Sequence, residues 1–368
     1  MNNSLAPLHL SFSAASRDGG IATAVAQLLE EQQRLGLYAR WLTSDQYSPW
    51  HRDRKLLKNF VSTEANLLHC HGLWRSPTRM AAKLNGNVSI PLIISPHGML
   101  DPWAMAYSPW KKWIVWRLWE ASAMQSAFCL HALCDSEAQS IRAYVKNQPI
   151  ATIPNGVKLP ITDCSDLPPP VWSHFIPEGD KVLIFLGRFH QKKGIEPLIT
   201  AWQSVVEDAK KNGWWLVFLG FGDEGKLESQ LANFPVERCL AFGPVFDDNK
   251  ASALSNASAF VLPSYSEGLP MAALEAMAYQ LPCLLSEACN LPDAFMVDAA
   301  IRAEPESANL ITSLNSLFGL SEGERSLMGQ AGFQLIVEKY NWNTVAKKFQ
   351  LLYEWAMGCC DRPDFVSQ

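Results

Sequence analysis

The sequence predicts an α/β protein built from two parallel-sheet domains. Short apolar segments alternate with longer amphipathic segments along most of the chain, and this alternation is typical of βαβ units. It stops between residues 157 and 180, where the run Pro168-Pro169-Pro170 excludes a helix and indicates a linker. The length of 368 residues is also sufficient for about two domains.

The first domain is predicted over residues 1–156 and the second over residues 181–340. The first should contain the strand segments LHLSF, YARWL, LLHCHG, PLIIS, FCLHALC and ATIPNG, and the second KVLIFLG, WWLVFLG, CLAFG, AFVLPS and LPCLLSE. The segment YNWNTVAKKFQLLYEWA has the amphipathic period of a helix, which we predict over residues 341–358.

The composition excludes several classes of function. The net charge of −5 argues against a general nucleic-acid binder. The nine cysteines show no metal-ligand or disulfide-framework spacing, and their odd number is typical of reduced cytosolic thiols. We see no signal peptide at the N-terminus and no apolar run of the ~18 residues that a membrane span needs. We therefore expect a cytoplasmic location.

Four tryptophans recur every three residues in the segment SPWKKWIVWRLWE, which spans residues 108–120; they are Trp110, Trp113, Trp116 and Trp119. This spacing places them on one broad stripe of a helix. One interpretation is a helix packed in the core with a solvated basic edge. The other is a helix on the inner face of the cytoplasmic membrane, with tryptophan at the headgroup level. Its basic residues would then face anionic lipid; they are Lys111, Lys112 and Arg117.

Two cations follow the first strand of the second domain. Arg188 comes directly after KVLIFLG, and Lys193 precedes Gly194 and a predicted helix. Ligands of open parallel sheets bind at the carboxyl ends of strands. Two cations beside a helix start therefore suit a phosphate-rich ligand, although a solvated basic turn would have the same sequence.

A second candidate site follows the strand segment AFVLPS. Pro270 suits the first helical position, so a helix should begin there, with Gly268 in the turn before it. The backbone N–H groups around Leu269 and Met271 would then point out of the helix start and form an anion site.

The same segment carries two glutamates eight positions apart, Glu267 and Glu275, among small and apolar residues. Burial of a lone carboxylate is costly, so each should have a partner. In one interpretation Glu275 binds the ribose of a nucleotide and Glu267 lies on the sugar side. In the other, Glu267 only stabilises the helix start and Glu275 is solvated.

The first domain offers fewer candidates. Gly19 and Gly20 lie between the first strand and its helix, where a ligand can approach the backbone, but the segment is not GxGxxG. His97 follows the strand PLIIS, and His71 ends another strand segment. A lone histidine is usually structural, so His97 has both a structural and a functional interpretation.

Together these segments resemble the retaining glycosyltransferases of family 4, also called the group 1 glycosyltransferases. IPNGV, GRFHQKKG, LGFGDEGKLE and LPSYSEGLPMAALEAMA occur in the order and approximate spacing of that family, with Glu267 and Glu275 as its E-x7-E motif. The resemblance covers nearly the whole chain and is strongest over residues 181–286. It implies the GT-B fold, in which two Rossmann-like domains face each other across a cleft, with helix 341–358 completing the first.

The resemblance also implies roles for the candidate residues. Arg188 and Lys193 would bind the donor diphosphate, with Gly19 and Gly20 facing it, and Glu275 would bind the ribose. Glu267 and His97 would lie beside the donor sugar as supporting catalytic groups. The chain departs from the family at Tyr279 and Gln280, where glycine is usual, and at EACNLPD over residues 287–293, which replaces a glycine-rich stretch.

The implied activity is that of a retaining hexosyltransferase with a UDP- or GDP-linked donor. No aspartate-rich metal motif stands out, so we expect no metal and no other cofactor. The acceptor is either a lipid-linked glycan of envelope or exopolysaccharide biosynthesis, which the tryptophan-rich segment favours, or a small soluble sugar. Two other functions stay open, a nucleotide-sugar epimerase and a non-catalytic subunit that binds sugar nucleotides.

Overall fold

The computed structural model describes residues 5–15, 20–47, 64–88, 90–160, 166–222 and 236–368. These residues form two compact units. The first unit comprises residues 1–156 together with 340–368, and the second comprises residues 157–339. Gly19 lies outside the described residues, whereas Gly20 is the first residue of the first helix.

The elements alternate as the sequence predicts. The strands are β1 (Pro7–Ser11), β2 (Arg40–Thr43), β3 (Leu67–His71), β4 (Leu92–Ser95), β5 (Cys129–Ala132), β6 (Ile150–Thr152), β7 (Lys181–Phe189), β8 (Trp214–Gly222), β9 (Cys239–Phe242), β10 (Ala259–Leu262), β11 (Cys283–Leu285), β12 (Ala300–Arg302) and β13 (Val366–Ser367). The α-helices are α1 (Gly20–Arg34), α2 (Ser76–Val88), α3 (Pro102–Ala106), α4 (Pro109–Val115), α5 (Ala121–Ser126), α6 (Asp135–Tyr144), α7 (Ile195–Ser204), α8 (Val206–Lys211), α9 (Asp247–Asn256), α10 (Met271–Ala278), α11 (Pro292–Met296), α12 (Ser307–Gly319), α13 (Glu322–Leu335) and α14 (Trp342–Ala356).

The first unit is built on a seven-stranded sheet in the order β13-β6-β5-β4-β3-β1-β2. All neighbours pair in parallel except β13, which pairs with β6 in antiparallel fashion. One face of the sheet packs on α2, α5 and α6, and the other packs on α1 and α14. Trp342 at the start of α14 lies directly over Gly156, where an added Cβ would come within 2.5 Å of the indole, so only glycine fits there.

The second unit is built on a six-stranded parallel sheet in the order β12-β11-β10-β7-β8-β9. The proline-rich stretch before β7 packs within this unit, because Trp172 and Ile176 are buried. Ser252 in α9 also donates a hydrogen bond to the carbonyl of Pro168 at 2.5 Å.

The tryptophan-rich segment is helical but irregular. A π-helical turn over Trp116–Glu120 follows α4 and breaks the three-residue stripe. Trp116 is half-buried against the core, whereas Trp110 and Trp113 are 63% and 60% exposed. The interpretation as a core helix is therefore wrong for these two residues. Within the described part of the chain, no helix combines the length and apolarity required to cross a membrane.

Candidate functional site

The second unit changes its winding direction between β7 and β10. The chain runs from β7 outward through β8 to β9, then returns to the other side of β7 for β10, β11 and β12. Such a topological switch point leaves a crevice at the carboxyl ends of the two adjoining strands, and ligands of open α/β sheets bind there. The candidate residues of this unit follow β7 and β10 and therefore meet at this crevice.

Gly194 allows the two loops to touch. Its φ of +68° lies in the left-handed region, and a Cβ at this position would be 1.9 Å from the carbonyl oxygen of Pro263, which follows β10. The backbone N–H of Tyr265 donates to the carbonyl of Lys192 at 2.7 Å and joins the same loops. No residue with a side chain fits between them, so glycine is required for this approach.

Lys193 and Glu267 form an ion pair across this contact. The Lys193 ammonium lies 2.5 Å from Glu267 Oε1, and the Lys192 ammonium lies 4.0 Å from Glu267 Oε2. Ser264 Oγ donates a further hydrogen bond to Glu267 Oε1 at 2.6 Å. Both partners of the pair are well shielded, with Glu267 8% and Lys193 14% exposed. Glu267 therefore has a specific partner in the structure.

Opposing effects act on the pKa of the Glu267 carboxyl. Burial raises it, but the positive charges of Lys193 and Lys192 and the hydrogen bonds from Lys193 and Ser264 together outweigh burial and lower it. The carboxylate is thus ionised at neutral pH and holds a negative charge beside two ammonium groups.

The backbone at Glu267 is held by a side chain that sequence analysis did not identify. Asn290 Nδ2 donates to the carbonyls of Glu267 and Gly268, at 2.6 and 3.1 Å. Asn290 itself has a φ of +55°, which asparagine tolerates better than most residues. It lies in the segment that replaces the family's glycine-rich stretch, so this chain supports the turn with an amide side chain.

The start of α10 faces the same crevice. Pro270 is the residue before the helix rather than its first residue, and Met271 begins the helix. Among the described residues, no acceptor is found for the backbone N–H groups of Leu269 and Met271. These donors and the positive end of the helix dipole suit an anion.

Glu275 has a partner that sequence analysis missed. Lys250 in α9 donates to Glu275 Oε1 at 2.7 Å, and Glu275 is 12% exposed. The interpretation of Glu275 as a solvated carboxylate is therefore wrong. The partner is 25 residues away in the chain, and no local pattern signals it.

Arg188 projects from the end of β7. It is exposed and stacks over the ring of Phe221, its neighbour on β8, at 5.5 Å. No carboxylate among the described residues pairs with it. It therefore adds a positive charge at the carboxyl ends of the strands.

His97 lies in the first unit, directly after β4, with a φ of +55°. Its Nε2 is 3.0 Å from Nδ1 of His71. The buried carboxylate of Glu137 holds this loop by accepting the N–H groups of Gly98 and Leu133, at 2.5 and 2.8 Å. Burial lowers the pKa of His97 to about 3, with a smaller contribution from His131, so its ring is neutral at pH 7.

Two family models match this chain in adjacent stretches. Residues 54–156 match the glycosyl transferase 4-like domain, and residues 171–317 match the glycosyl transferases group 1 model. Together they span most of the chain. With the two parallel-sheet units, they show that the chain belongs to the group 1, family 4-type glycosyltransferases and has the GT-B fold.

Relatives and solved structures agree with this assignment. The chain is 28% identical over 185 residues to an uncharacterized glycosyltransferase of Methanocaldococcus jannaschii, covering 50% of this chain and 47% of the relative. It is 28% identical over 170 residues to an amylovoran biosynthesis glycosyltransferase of Erwinia amylovora, covering 43% and 46%. The chain thus spans about half or less of the length of several curated relatives that it matches.

Two solved structures share the fold over nearly the whole chain. Sucrose-phosphate synthase from Thermosynechococcus elongatus aligns with a TM-score of 0.77 at 18% identity, covering 96% of this chain and 100% of that structure. The Anabaena protein HepE, solved in complex with UDP, aligns with a TM-score of 0.74 at 14% identity, covering 95% and 100%.

Proposed function

We propose that the protein transfers a sugar from a UDP- or GDP-linked donor to an acceptor hydroxyl, with retention of configuration. The observation that carries this proposal is the ion pair of Lys193 and Glu267 at the switch point, beside the α10 start and Arg188. These groups provide two cations and open N–H donors for a diphosphate. The family membership and the UDP bound by HepE support the donor class.

In this proposal the cations stabilise the leaving diphosphate. Cleavage of the bond between the sugar and the diphosphate places negative charge on the phosphate oxygens. Fixed donors aimed at developing charge lower a barrier electrostatically. Arg188, Lys193 and the N–H groups of Leu269 and Met271 would provide that stabilisation, with Gly19 and Gly20 also proposed at the donor. No metal is required by this arrangement.

The two glutamates have different proposed roles. Glu275, held by Lys250, accepts hydrogen bonds from the ribose hydroxyls. Glu267 lies beside the donor sugar, and the charge of Lys193 is divided between this carboxylate and the donor phosphates. His97 acts as a supporting group at the donor sugar. We propose no protein nucleophile.

We propose a lipid-linked glycan of envelope or exopolysaccharide biosynthesis as the acceptor. The relative from Erwinia amylovora is named for a polysaccharide product. An exposed apolar surface on α4 and the π-helical turn also supports this class; its large residues are Trp110, Trp113, Ile114 and Leu118. Lys111 lies over the Trp110 ring at 5.5 Å and Arg117 over the Trp113 ring at 5.2 Å. We call these six residues the tryptophan surface.

Lys112 is less suited to a lipid contact than sequence analysis assumes. It is partly buried, and its ammonium donates a hydrogen bond to the carbonyl of Ala104. Burial also lowers its pKa. The tryptophan surface therefore has two outward cations, and each contributes about 1 kcal/mol near an anionic surface.

Donor binding tests the proposed function directly. A UDP or GDP sugar at 100 times its Kd should stabilise the protein by about 2.7 kcal/mol in thermal unfolding, and NAD should not. Arg188→Gln should weaken this effect, because it removes a cation from the crevice. Arg40→Gln is the matched control, since Arg40 is an exposed arginine at the start of β2 in the first unit, and this substitution should leave donor binding unchanged. Equal stabilisation by NAD, or none by any sugar nucleotide, would contradict the proposal.

Vesicle binding tests the tryptophan surface. The protein should sediment with anionic vesicles at low salt and be released at high salt, because salt screens the two cations. The double substitution Trp110→Ser and Trp113→Ser should abolish sedimentation and leave donor binding intact. Tyr38→Ser, which removes an aromatic residue that is 68% exposed elsewhere in the first unit, should change neither. Lack of sedimentation at any salt concentration favours a soluble acceptor.

A further inference from the structure

Five of the eight histidines lie together in the first unit. His9 is on β1, His69 and His71 are on β3, His97 follows β4, and His131 is on β5. Those on strands are buried on the sheet face that α1 and α14 cover. Buried imidazoles need hydrogen-bond partners, and each partner restricts which ring nitrogen carries the proton.

The histidines and their partners form a continuous series of hydrogen bonds, and the carbonyl of Ile153 sets the donor-to-acceptor direction at one end of it. This carbonyl lies 2.7 Å from Nε2 of His131 and can only accept, so Nε2 carries the proton and Nδ1 is an acceptor. Ser95 Oγ, at 2.7 Å, must therefore donate to Nδ1 of His131. The Ser95 oxygen in turn accepts from Nε2 of His69, also at 2.7 Å. Nδ1 of His69 is then left as an acceptor.

Tyr353 and Gln32 continue the same direction. The Tyr353 hydroxyl, 2.7 Å from Nδ1 of His69, donates to that nitrogen. Its oxygen accepts from Nε2 of Gln32 at 3.1 Å. Oε1 of Gln32 then accepts from Nε2 of His9 at 2.8 Å. Each group in this stretch accepts one hydrogen bond and donates the next. Every contact therefore joins one donor to one acceptor.

The direction reaches His97 through two more imidazoles. His9 carries its proton on Nε2, so its Nδ1 accepts from Nε2 of His71 at 2.9 Å. Nδ1 of His71 then accepts from Nε2 of His97 at 3.0 Å. We call this series from Ile153 to His97 the histidine chain. Its direction places the proton of His97 on Nε2, and Nδ1 is then an acceptor for which the described residues provide no hydrogen-bond donor.

We propose that the histidine chain fixes the tautomer of His97, so that His97 offers Nδ1 as an acceptor to a hydroxyl of the donor sugar. This inference rests on the proposed function for the identity of the ligand. Tyr353, Ser95 and Gln32 are then positioning residues, because they act on the substrate only through His97. Without these hydrogen bonds, His97 would exist as a mixture of two tautomers. The tautomer with its proton on Nδ1 could not accept a hydrogen bond at that nitrogen.

All five imidazoles are neutral at pH 7, as the chain requires. Burial lowers the pKa of His9 and His131 to about 4, and it lowers those of His69 and His71 well below the usual range. Nitrogens of His9, His69 and His71 also lie within 4.8 Å of one another, a spacing that could hold a metal ion. Every ring nitrogen of these three residues is already hydrogen-bonded, so a metal would have to break the chain.

Nitrogen-15 NMR of the full-length protein labelled in histidine tests the tautomer without any ligand. Protonated and unprotonated ring nitrogens have well-separated shifts, and the His97 signals are those absent from His97→Gln. We expect His97 to carry its proton on Nε2 only. A proton on Nδ1, or a mixture of both forms in the wild type, overturns the inference.

Two substitutions at separate positions should allow His97 to adopt both tautomers. Tyr353→Phe removes the link between His69 and Gln32, and Ser95→Ala removes the link between His131 and His69. In either variant the side-chain amide of Gln32 can flip, which exchanges the positions of Nε2 and Oε1. The flip reverses donor and acceptor in each hydrogen bond of the histidine chain from Gln32 to His97. Both variants should therefore show a mixture of His97 tautomers, and either one suffices if the other does not fold. Phe349→Leu is the matched control, because Phe349 contacts the rings of His69 and His131 without a hydrogen bond.

The same variants connect the tautomer to the donor. If about half of the His97 population has the wrong tautomer, the apparent Kd of the donor should rise about twofold, while Phe349→Leu keeps the wild-type value. An unchanged His97 spectrum in both variants overturns the inference, and so does an unchanged donor affinity despite a mixed tautomer. If the wild type binds no sugar nucleotide, the proposed function fails separately, and the spectra still decide whether the chain fixes His97.

Discussion

Acidification from pH 7 to about pH 5 is expected to unfold the first unit, because its histidines bind protons in the unfolded state but stay neutral in the folded state. The pKa of a histidine in an unfolded chain is about 6.5. In the folded protein, burial lowers it to about 4 for His9 and His131 and to about 3 for His97. Between these values the unfolded state binds more protons, so stability falls as the pH falls below 6.5.

Glu137 opposes this trend. Burial raises the pKa of its carboxyl to about 7, although the N–H groups of Gly98 and Leu133 act against this rise. The folded state therefore binds an extra proton at pH 5, which offsets about one imidazole. About four net protons are left, each changing the free energy of unfolding by about 1.4 kcal/mol per pH unit. A loss of about 5.6 kcal/mol per pH unit is comparable to the whole stability of many domains.

Urea unfolding at several pH values and calorimetry in buffers of different ionisation enthalpy measure this effect. The calorimetry should detect uptake of about four protons on unfolding near pH 5. His131→Gln should reduce that uptake by about one proton. His174→Gln is the control, since it removes an exposed histidine of the second unit. A stability independent of pH between 7 and 5 would show that the histidines are charged or solvated in the folded protein.

Replacement of Lys193 by methionine is expected to lower the free energy of unfolding by about 3–5 kcal/mol, because it leaves the buried Glu267 carboxylate without its main partner. It should also abolish turnover, since Lys193 is a proposed diphosphate ligand. Lys192, whose ammonium lies 4.0 Å from Glu267 Oε2, makes the weaker contact and should compensate only in part. Chemical denaturation and a transfer assay measure the two effects.

A double substitution separates stability from activity. When Lys193 and Glu267 are both replaced by methionine, no buried charge lacks a partner, and much of the lost stability should return. Turnover should stay absent, because the diphosphate ligand is still missing. If the double variant is as unstable as Lys193→Met, the pair is not the source of the loss. If Lys193→Met retains wild-type turnover, Lys193 has no role at the donor.

Much of the fold follows from local sequence. Each of the eleven predicted strand segments overlaps an observed strand, because continuous apolar runs bounded by turns are typical of buried parallel strands. The pattern missed β12, a three-residue strand whose residues are only partly buried and which ends on an exposed arginine, and β13, which has two residues. The tryptophan stripe predicted a regular helix, and the π-helical turn at Trp116 breaks it without any proline or glycine to signal the change.

The site was predictable only in part. Lys193 and Glu267 were identified because each follows a strand, but their pairing depends on a contact between residues 74 positions apart. Lys250 and Asn290 were missed, since a single lysine or asparagine in a loop or helix carries no signal of its own. His71 was identified only as a usually structural residue, although neighbouring parallel strands bring it next to His9. Such partners follow from strand order and register, which local patterns do not contain.

The ribosome synthesises the hydrogen-bonded residues of the histidine chain at widely separated times. His69 emerges early, but Tyr353, which donates to it, is made 284 residues later. The second unit is one continuous stretch and can fold during synthesis, whereas the first unit must wait for α14. Until then its β-sheet exposes an apolar face with unpaired imidazoles. During that interval the nascent chain is at risk of aggregation through this face.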